Sequence, residues 1–519
     1  MRYAAPPVGR LRWRAPEEPS LQRTGTVELA TSFRPICLCT GSGYPSYGQD
    51  EDCLFVNVWA PSDARPGSKL PVWVFIQGGG YVSLTNANWN GAEVVEKSGG
   101  NTVMVNFNYR VGLWGFLASE NIRKDGDLNA GLLDQRMLLK WVKTHIAQFG
   151  GDPDHVVIHG ASAGAGSVAL HMVAYGGRDD DLFVGGIAES IFFPAQPPVA
   201  ELEYQFQRVV EQTGCDSARD QMQCLRETDA AWLQAANRAQ PFPGRDEPPL
   251  PLFYWTPCVD GEFLQDIPYR LFQKGKFVNV PVLFGTTTDE GSVFASNAAT
   301  QTDFAAFMAN NYPKLTSNQT DAILQHYPKL PPLPWHEEWF PSASQAYGEA
   351  TFICPTVNVL NTLQHSSDSS LKYNNAGSGG SGSGSAGPGP GIWSYRYNVY
   401  DSENTAEGLG VQHLFEAAAV FGPDNINGAR RSYWTYNAPI VPVVMSYWIS
   451  FVRTLDPNIY RSPGSPNWEK WGADMNRLVM ETGNTHMETV GKGVEGPGGE
   501  GGELERCRFW EGLGGVMEQ

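Results

Sequence analysis

A serine hydroxyl becomes a nucleophile only where a base can take its proton and where donors can hold the charge that develops on the attacked carbonyl. One stretch of this 519-residue chain has the residue types for that. His159-Gly160-Ala161-Ser162-Ala163-Gly164 follows the apolar run His155–His159 and leads into a second apolar run, Val168–Val173. Between a strand and a helix, Gly-x-Ser-x-Gly is a nucleophile elbow, in which the serine occupies a tight turn with strained backbone angles. The glycines on either side leave room for neighbouring chains. Ser162 would then project from the N-terminus of a helix, whose dipole favours negative charge.

A second element serves the same chemistry. Gln77-Gly78-Gly79-Gly80-Tyr81 closes the apolar run Pro71–Gln77. Consecutive glycines let the backbone bend until its N–H groups face an open site. In hydrolases with this elbow, that loop and the N–H of the residue after the serine, here Ala163, supply the oxyanion donors. Each such donor is worth about 2.7–4 kcal/mol in the transition state. A base and an orienting acid are expected in the chain order serine, acid, histidine. Of the histidines after Ser162, His171 falls on the helix behind the elbow, where it packs. His326, His336, His365 and His486 lie in polar stretches without strand or glycine context, which leaves His413, in Gly410–Glu416, as the base. Thr288-Asp289-Glu290-Gly291-Ser292 follows the apolar run Val280–Phe284 and offers two acids. Residue type alone leaves Asp289 and Glu290 both open.

These groups need a rigid frame, and the first half of the chain alternates strands and helices. Pro71–Gln77 and Thr102–Asn108 are short, continuous apolar runs bounded by turn residues, as buried strands are. From about Leu132 to Phe149 the period changes to that of a helix, with Leu133, Met137 and Trp141 beside a second ladder of Leu138, Val142 and Ile146. Gly150 and Gly151 stop it, and His155–His159 is the next strand. This rhythm implies a mostly parallel sheet with helices on both faces. Past residue 200 or so, the chain becomes more helical, with Trp393–Tyr400 strand-like and Ser446–Arg453 helical. Residues 377–391 read as a flexible Gly/Ser/Pro insertion, and 491–502 as an acidic Gly-rich loop.

Composition excludes other classes. The formal charge is −18 without a Lys/Arg cluster, which argues against a nucleic-acid partner. Apolar residues at 41% make a folding chain, and the longest apolar stretch, Ala438–Val452, is broken by two prolines and too short to span a bilayer. The eight cysteines include no pair of CxxC motifs, so a zinc site is not expected. Cys37 and Cys53 are close enough in sequence for a local bridge, as are Cys215 and Cys224.

The ordered series Glu51-Asp52-Cys53-Leu54-Phe55-Val56-Asn57-Val58-Trp59, the triple glycine, Asn108-Tyr109-Arg110-Val111-Gly112, Gly131-Leu132-Leu133-Asp134-Gln135-Arg136, Phe149-Gly150-Gly151-Asp152-Pro153 and the elbow resembles the type-B carboxylesterase/lipase family. That family comprises α/β-hydrolases, cholinesterases and secreted fungal esterases and lipases among them. The similarity runs from Tyr3 to Trp510 outside the two Gly-rich segments. It implies a single α/β-hydrolase domain over 1–519, with a large, mostly parallel central sheet flanked by helices. It also implies Ser162 as nucleophile, Glu290 as acid, His413 as base, Gly79, Gly80 and Ala163 as oxyanion donors, and a small-molecule ester as substrate, with no metal or cofactor. The resemblance pairs Cys37 with Cys53, Cys215 with Cys224 and Cys354 with Cys507, leaving Cys39 and Cys258 as free thiols, and points to secretion. Arg12 and Glu51 match a structural ion pair of the family, and Ser190 and Glu416 match polar positions behind the site.

The chain also departs from the family. It opens some distance into the fold, as if the first strands and the signal peptide were truncated. Gln77 stands where many relatives carry His, which should alter loop support more than oxyanion binding. Cholinesterases hold a quaternary ammonium on an indole inside the first disulfide loop, beside a Glu next to the serine. Here the 37–53 loop has no Trp and Ala161 takes the place of that Glu, which implies uncharged esters. Non-catalytic adhesion relatives usually lack a triad residue, whereas this chain keeps all three. Nothing in the sequence fixes an oligomeric state.

Overall fold

Strands that are apolar at every position can only be covered on both faces, and that requirement shapes the molecule. The computed structural model describes residues 1–20, 29–84, 89–368, 390–490 and 502–519. Nine strands form one sheet: β1 (Val56–Trp59), β2 (Leu70–Ile76), β3 (Val103–Phe107), β4 (Gly151–Ala161), β5 (Gly185–Glu189), β6 (Val282–Thr287), β7 (Ile392–Tyr397), β8 (Asn476–Met480) and β9 (His486–Thr489). Their spatial order is β9-β8-β7-β6-β5-β4-β2-β3-β1. Only the outermost pairs, β1 with β3 and β8 with β9, are antiparallel. This is the mostly parallel sheet that the strand–helix rhythm requires.

Alternation divides the apolar runs between two layers. Along β2, Val72, Val74 and Ile76 enter one core, which also takes α1 (Ala130–His145), α2 (Ala163–Gly177), α3 (Cys354–Asp368) and α6 (Glu503–Met517). Trp73 and Phe75 point the other way, into a core closed by α4 (Ala417–Phe421) and α5 (Ile440–Thr454). The ladder of Leu138 and Val142 on α1, continued by Ile146 just past its end, is fully buried, while Leu133, Met137 and Trp141 pack half-buried beside it. Past His145 the helix tightens into a 3-10 turn, Ile146–Phe149, which Gly150 closes at φ +84° ahead of β4.

The structure extends two sequence-derived elements. The strand expected over His155–His159 begins at Gly151 and runs to Ala161, so Ser162 follows without a linker. The helix expected over Ser446–Arg453 begins at Ile440, in spite of Pro442. Proline in the first turn removes an N–H that has no intrahelical acceptor, so it does not break the helix. The expected Gly-rich segments lie outside the described residues, apart from 390, 391 and 502. Among the described residues no helix is long and apolar enough to cross a membrane.

Three disulfides staple the loops: Cys37–Cys53, Cys215–Cys224 and Cys354–Cys507. The last joins α3 to α6 across a separation of 153 residues, which by chain entropy is worth about 5 kcal/mol. Cys39 and Cys258 are buried free thiols, and burial raises both above the ordinary thiol range. The Arg12–Glu51 pair is buried and bidentate, with N–O distances of 2.6 and 2.9 Å, and Arg12 Nη1 also donates to the carbonyl of Leu225.

Non-reducing peptide mapping should therefore recover these three bridges, and a thiol reagent should find no fast-reacting cysteine until the protein is denatured. Replacing Cys354 and Cys507 together by serine should lower stability by several kcal/mol, about 5 at most, read from denaturant midpoints.

Candidate active site

β4 carries its last residue, Ala161, to the sheet edge, and the chain must reverse into α2 within one residue. That residue is Ser162, at φ +59°, ψ −121°. For a side chain other than glycine's, this conformation costs on the order of 1–3 kcal/mol. Its surroundings hold it there. The Ser162 N–H donates to the Glu189 carbonyl at 2.8 Å, and the Ser162 carbonyl accepts from the Gly166 N–H at 2.9 Å. A Cβ at position 160 would lie 2.0 Å from the Gly164 carbonyl oxygen, and one at 164 would lie 1.9 Å from that of Ile76. Both positions therefore require glycine.

The candidate acid and base come from loops after two other strands. Glu290 follows β6 and is 1% exposed. Its Oε1 accepts from the Ser190 hydroxyl at 2.6 Å and from the Thr287 N–H at 2.7 Å. Its Oε2 lies 2.5 Å from His413 Nδ1. A carboxylate with both oxygens accepting favours the imidazole tautomer with its proton on Nδ1. His413 Nε2, buried and without a hydrogen-bond partner among the described residues, is then left with a free lone pair. The Phe294 and Phe352 rings flank the imidazole, with centroids 5.0 and 4.4 Å away.

Asp289, the other acid in the motif, does not reach the histidine. Its Oδ2 accepts from the Val411 N–H at 2.7 Å, and its own N–H donates to the Val411 carbonyl at 3.0 Å. The two neighbouring acids thus divide the work: Glu290 meets the imidazole, and Asp289 pins the strand of loop that carries it. Gly410 is part of that clamp, because a Cβ there would sit 2.2 Å from Asp289 Oδ2. Burial pushes the Asp289 carboxyl above its usual range, against the Val411 hydrogen bond.

The glycine loop leaves β2 at Ile76. Gln77 Nε2 donates to the Phe107 carbonyl at 2.5 Å and to Asn108 Oδ1 at 3.2 Å, and the Tyr109 hydroxyl donates to the Gln77 carbonyl at 2.9 Å. Gln77 is thus a strut beneath the loop. Gly79 and Gly80 have φ of +110° and +62°, and the edge of the Phe253 ring occupies the space a Gly80 side chain would need. His171 is buried with Nε2 2.9 Å from Gln135 Oε1, a packed histidine as expected, and burial lowers its pKa to about 3.

Two buried groups near Ser162 escaped the sequence reading, His159 and Glu189. His159 closes the apolar run of β4 and Glu189 ends β5, and a charge-bearing residue on such a run was the available signal. Among the described residues no cluster of three or more His, Cys, Asp or Glu side chains is arranged to hold a metal.

With this geometry in view, comparisons with known proteins are informative. The Carboxylesterase family model matches residues 1–506. Lipase 4 of Diutina rugosa is 34% identical over 361 residues, covering 63% of this chain, and the chain spans 65% of that protein's length. Secreted lipase 1 of Botryotinia fuckeliana is 32% identical over 530 residues, covering 93% of this chain and 85% of that protein. The crystal structure of Aspergillus niger EstA superposes with a TM-score of 0.91 at 49% identity, over 100% of this chain and 94% of that one. A nine-stranded sheet that turns at a serine into a helix, matched by a family model over nearly its whole length, leads to one conclusion: this chain belongs to the carboxylesterase family and has the α/β-hydrolase fold.

Proposed function

We propose that the chain is a serine hydrolase that cleaves uncharged carboxylic esters through an acyl-enzyme. The observation that carries this reading is the 2.5 Å contact of His413 Nδ1 with Glu290 Oε2, in a protein whose Ser162 is held at a strained turn. Ser162 Oγ attacks the ester carbonyl while His413 Nε2 takes its proton, and the Glu290 carboxylate stabilises the imidazolium. The Gly79, Gly80 and Ala163 N–H groups bind the oxyanion. Collapse of the tetrahedral intermediate breaks the bond to the alcohol, which leaves with the proton from His413. Water, deprotonated by the same base, then releases the acid.

The lipase names of the relatives support an ester as substrate. The uncharged class is supported by the surfaces on offer, which are the Phe253 ring beside Gly80 and the Phe294 and Phe352 rings beside His413. Tyr44 and Tyr47 in the 37–53 loop are both exposed, and Ala161 brings no carboxylate beside Ser162, which supports a weak preference for a cation at most. The disulfides and the secreted relatives support an oxidising compartment.

Purified protein should hydrolyse p-nitrophenyl butyrate and be labelled by a fluorophosphonate on Ser162. Ser162→Ala should abolish labelling and lower kcat by at least about 10⁴-fold, with His413→Ala nearly as severe because these residues act as a unit. A Ser162→Ala enzyme with unchanged rate would reject the mechanism. Asp289→Ala, which frees the Val411 N–H, should lower kcat by about tenfold, or about 1.4 kcal/mol, with little change in KM. A rise in KM with kcat intact would place Asp289 in binding instead. On the alcohol side, kcat/KM for butyrylcholine should be within about tenfold of that for 3,3-dimethylbutyl butyrate, which has the same shape without the charge. A larger choline preference would reveal a cation site.

A further inference from the structure

Beneath the proposed triad, on the side of the sheet covered by α4 and α5, lies a set of fully buried ionisable groups that the mechanism does not use. Glu189 ends β5, and its carbonyl is the acceptor that holds the Ser162 N–H. Glu416 is three residues past His413 and occupies the N-cap of α4. Glu189 Oε1 accepts from the Trp448 indole N–H at 2.9 Å, and Glu416 Oε1 accepts from the Tyr395 hydroxyl at 2.9 Å. The second oxygen of each carboxyl, Oε2, is buried without a hydrogen-bond partner among the described residues. Neither carboxyl forms an ion pair with a lysine or arginine there; the nearest basic group is His159, whose Nε2 lies 2.9 Å from Glu189 Oε1 but off the line a hydrogen bond needs. The Trp73 indole N–H donates to His159 Nδ1 at 2.9 Å, so the neutral ring carries its proton on Nε2.

A buried carboxyl with one oxygen orphaned is costly as an anion, and both Glu189 and Glu416 are in that position. A proton on the pair turns one carboxyl into a donor and removes the excess charge. We propose that Glu189 and Glu416 are positioning residues that retain protons beneath the triad and thereby tie the Ser162 turn to the His413 loop. The proposal rests on the reading of Ser162, His413 and Glu290 as the reacting set.

The electrostatics agree. Burial raises Glu189 to about 8, and burial together with the charges of Glu189 and Glu290 raises Glu416 well above the usual carboxylate range. Burial also holds His159 well below its ordinary value, so it is a neutral neighbour and not a counter-ion. The other titratable groups facing the pair are Tyr395 and Tyr397 from β7, Tyr433 and Glu290, all buried. With protons retained, the two acids add no charge beneath Glu290 and His413. Ionisation of Glu189 in alkali places a charge between the two loops. For stability, the folded-state pKa of Glu189 lies above its unfolded value, so its contribution is complete below the unfolded pKa and is lost as pH rises through about 8.

The test is an infrared pH titration of the whole enzyme, with Glu189→Gln and Glu416→Gln alongside. Between about pH 6 and about pH 9 the wild type should lose a protonated-carboxyl C=O band, and Glu189→Gln should lack that change. In the same range the kcat/KM of the wild type for p-nitrophenyl butyrate should fall through an inflection that Glu189→Gln removes, and the thermal midpoint of the variant should gain on the wild type as pH rises. A wild type without a titrating carboxyl band would overturn the proposal, as would the same alkaline inflection in both Gln variants. If fluorophosphonate fails to label the wild type, the triad reading fails, and the infrared arm still decides the acid pair by itself.

Discussion

The backbone at Ser162 cannot relax, and much of the structure follows from that. A strand that ends at the sheet edge must turn into a helix within one residue, with the serine at positive φ. Such a turn persists only if its neighbours over-determine it. The Glu189 carbonyl takes the serine N–H from the adjacent strand, Gly160 lets the first turn of α2 fold back against β4, and Gly164 lets the end of β2 come within a distance no Cβ would permit. The parallel sheet supplies the rigid neighbours, β2 on one side of β4 and β5 on the other.

The rest of the proposed site hangs on loops that leave the same end of the sheet, as ligand sites on open parallel sheets do. Loops are mobile unless their backbone groups are claimed, and here buried polar groups claim them. Asp289 holds the histidine loop through Val411, Ser190 and Thr287 fix Glu290, and Gln77 with Tyr109 supports the glycine loop. The motif pair around Arg110 and Asp134 does the same job farther out. Arg110 donates to both Asp134 oxygens at 2.7 Å inside the core, so these signature residues serve the scaffold. Buried pairs of this kind add little net stability but are costly to break, which suits a part that must hold position.

Much of this was legible in the sequence because its signals are local. Continuous apolar runs marked β2 and β3, a helical period marked α1, and the glycine spacing marked the turn at Ser162. The two strand faces were not separable, since Trp73 and Val74 look alike until the sheet shows that one packs under α4 and α5 and the other under α1 and α2. The full length of α5 was not legible either: Ser446–Arg453 read as helical, and the structure carries the helix back to Ile440, with Pro442 accommodated in its first turn.

By itself, the sequence determined the alternating architecture and the tight strand-to-helix turn at Ser162, singled out His413 as the candidate base, and, through family resemblance, implied the three disulfides. Each depends on residue type at short spacing or on ordered motifs. Residue type left Asp289 and Glu290 both open and the resemblance implied Glu290; tertiary structure shows what each acid faces. Asp289 and Glu290 are chemically alike and adjacent, and only the path of a loop more than a hundred residues away gives one of them His413 and the other Val411. It alone also brought Glu189, Glu416 and His159 together under that site, because burial and proximity across strands leave no trace in any one segment.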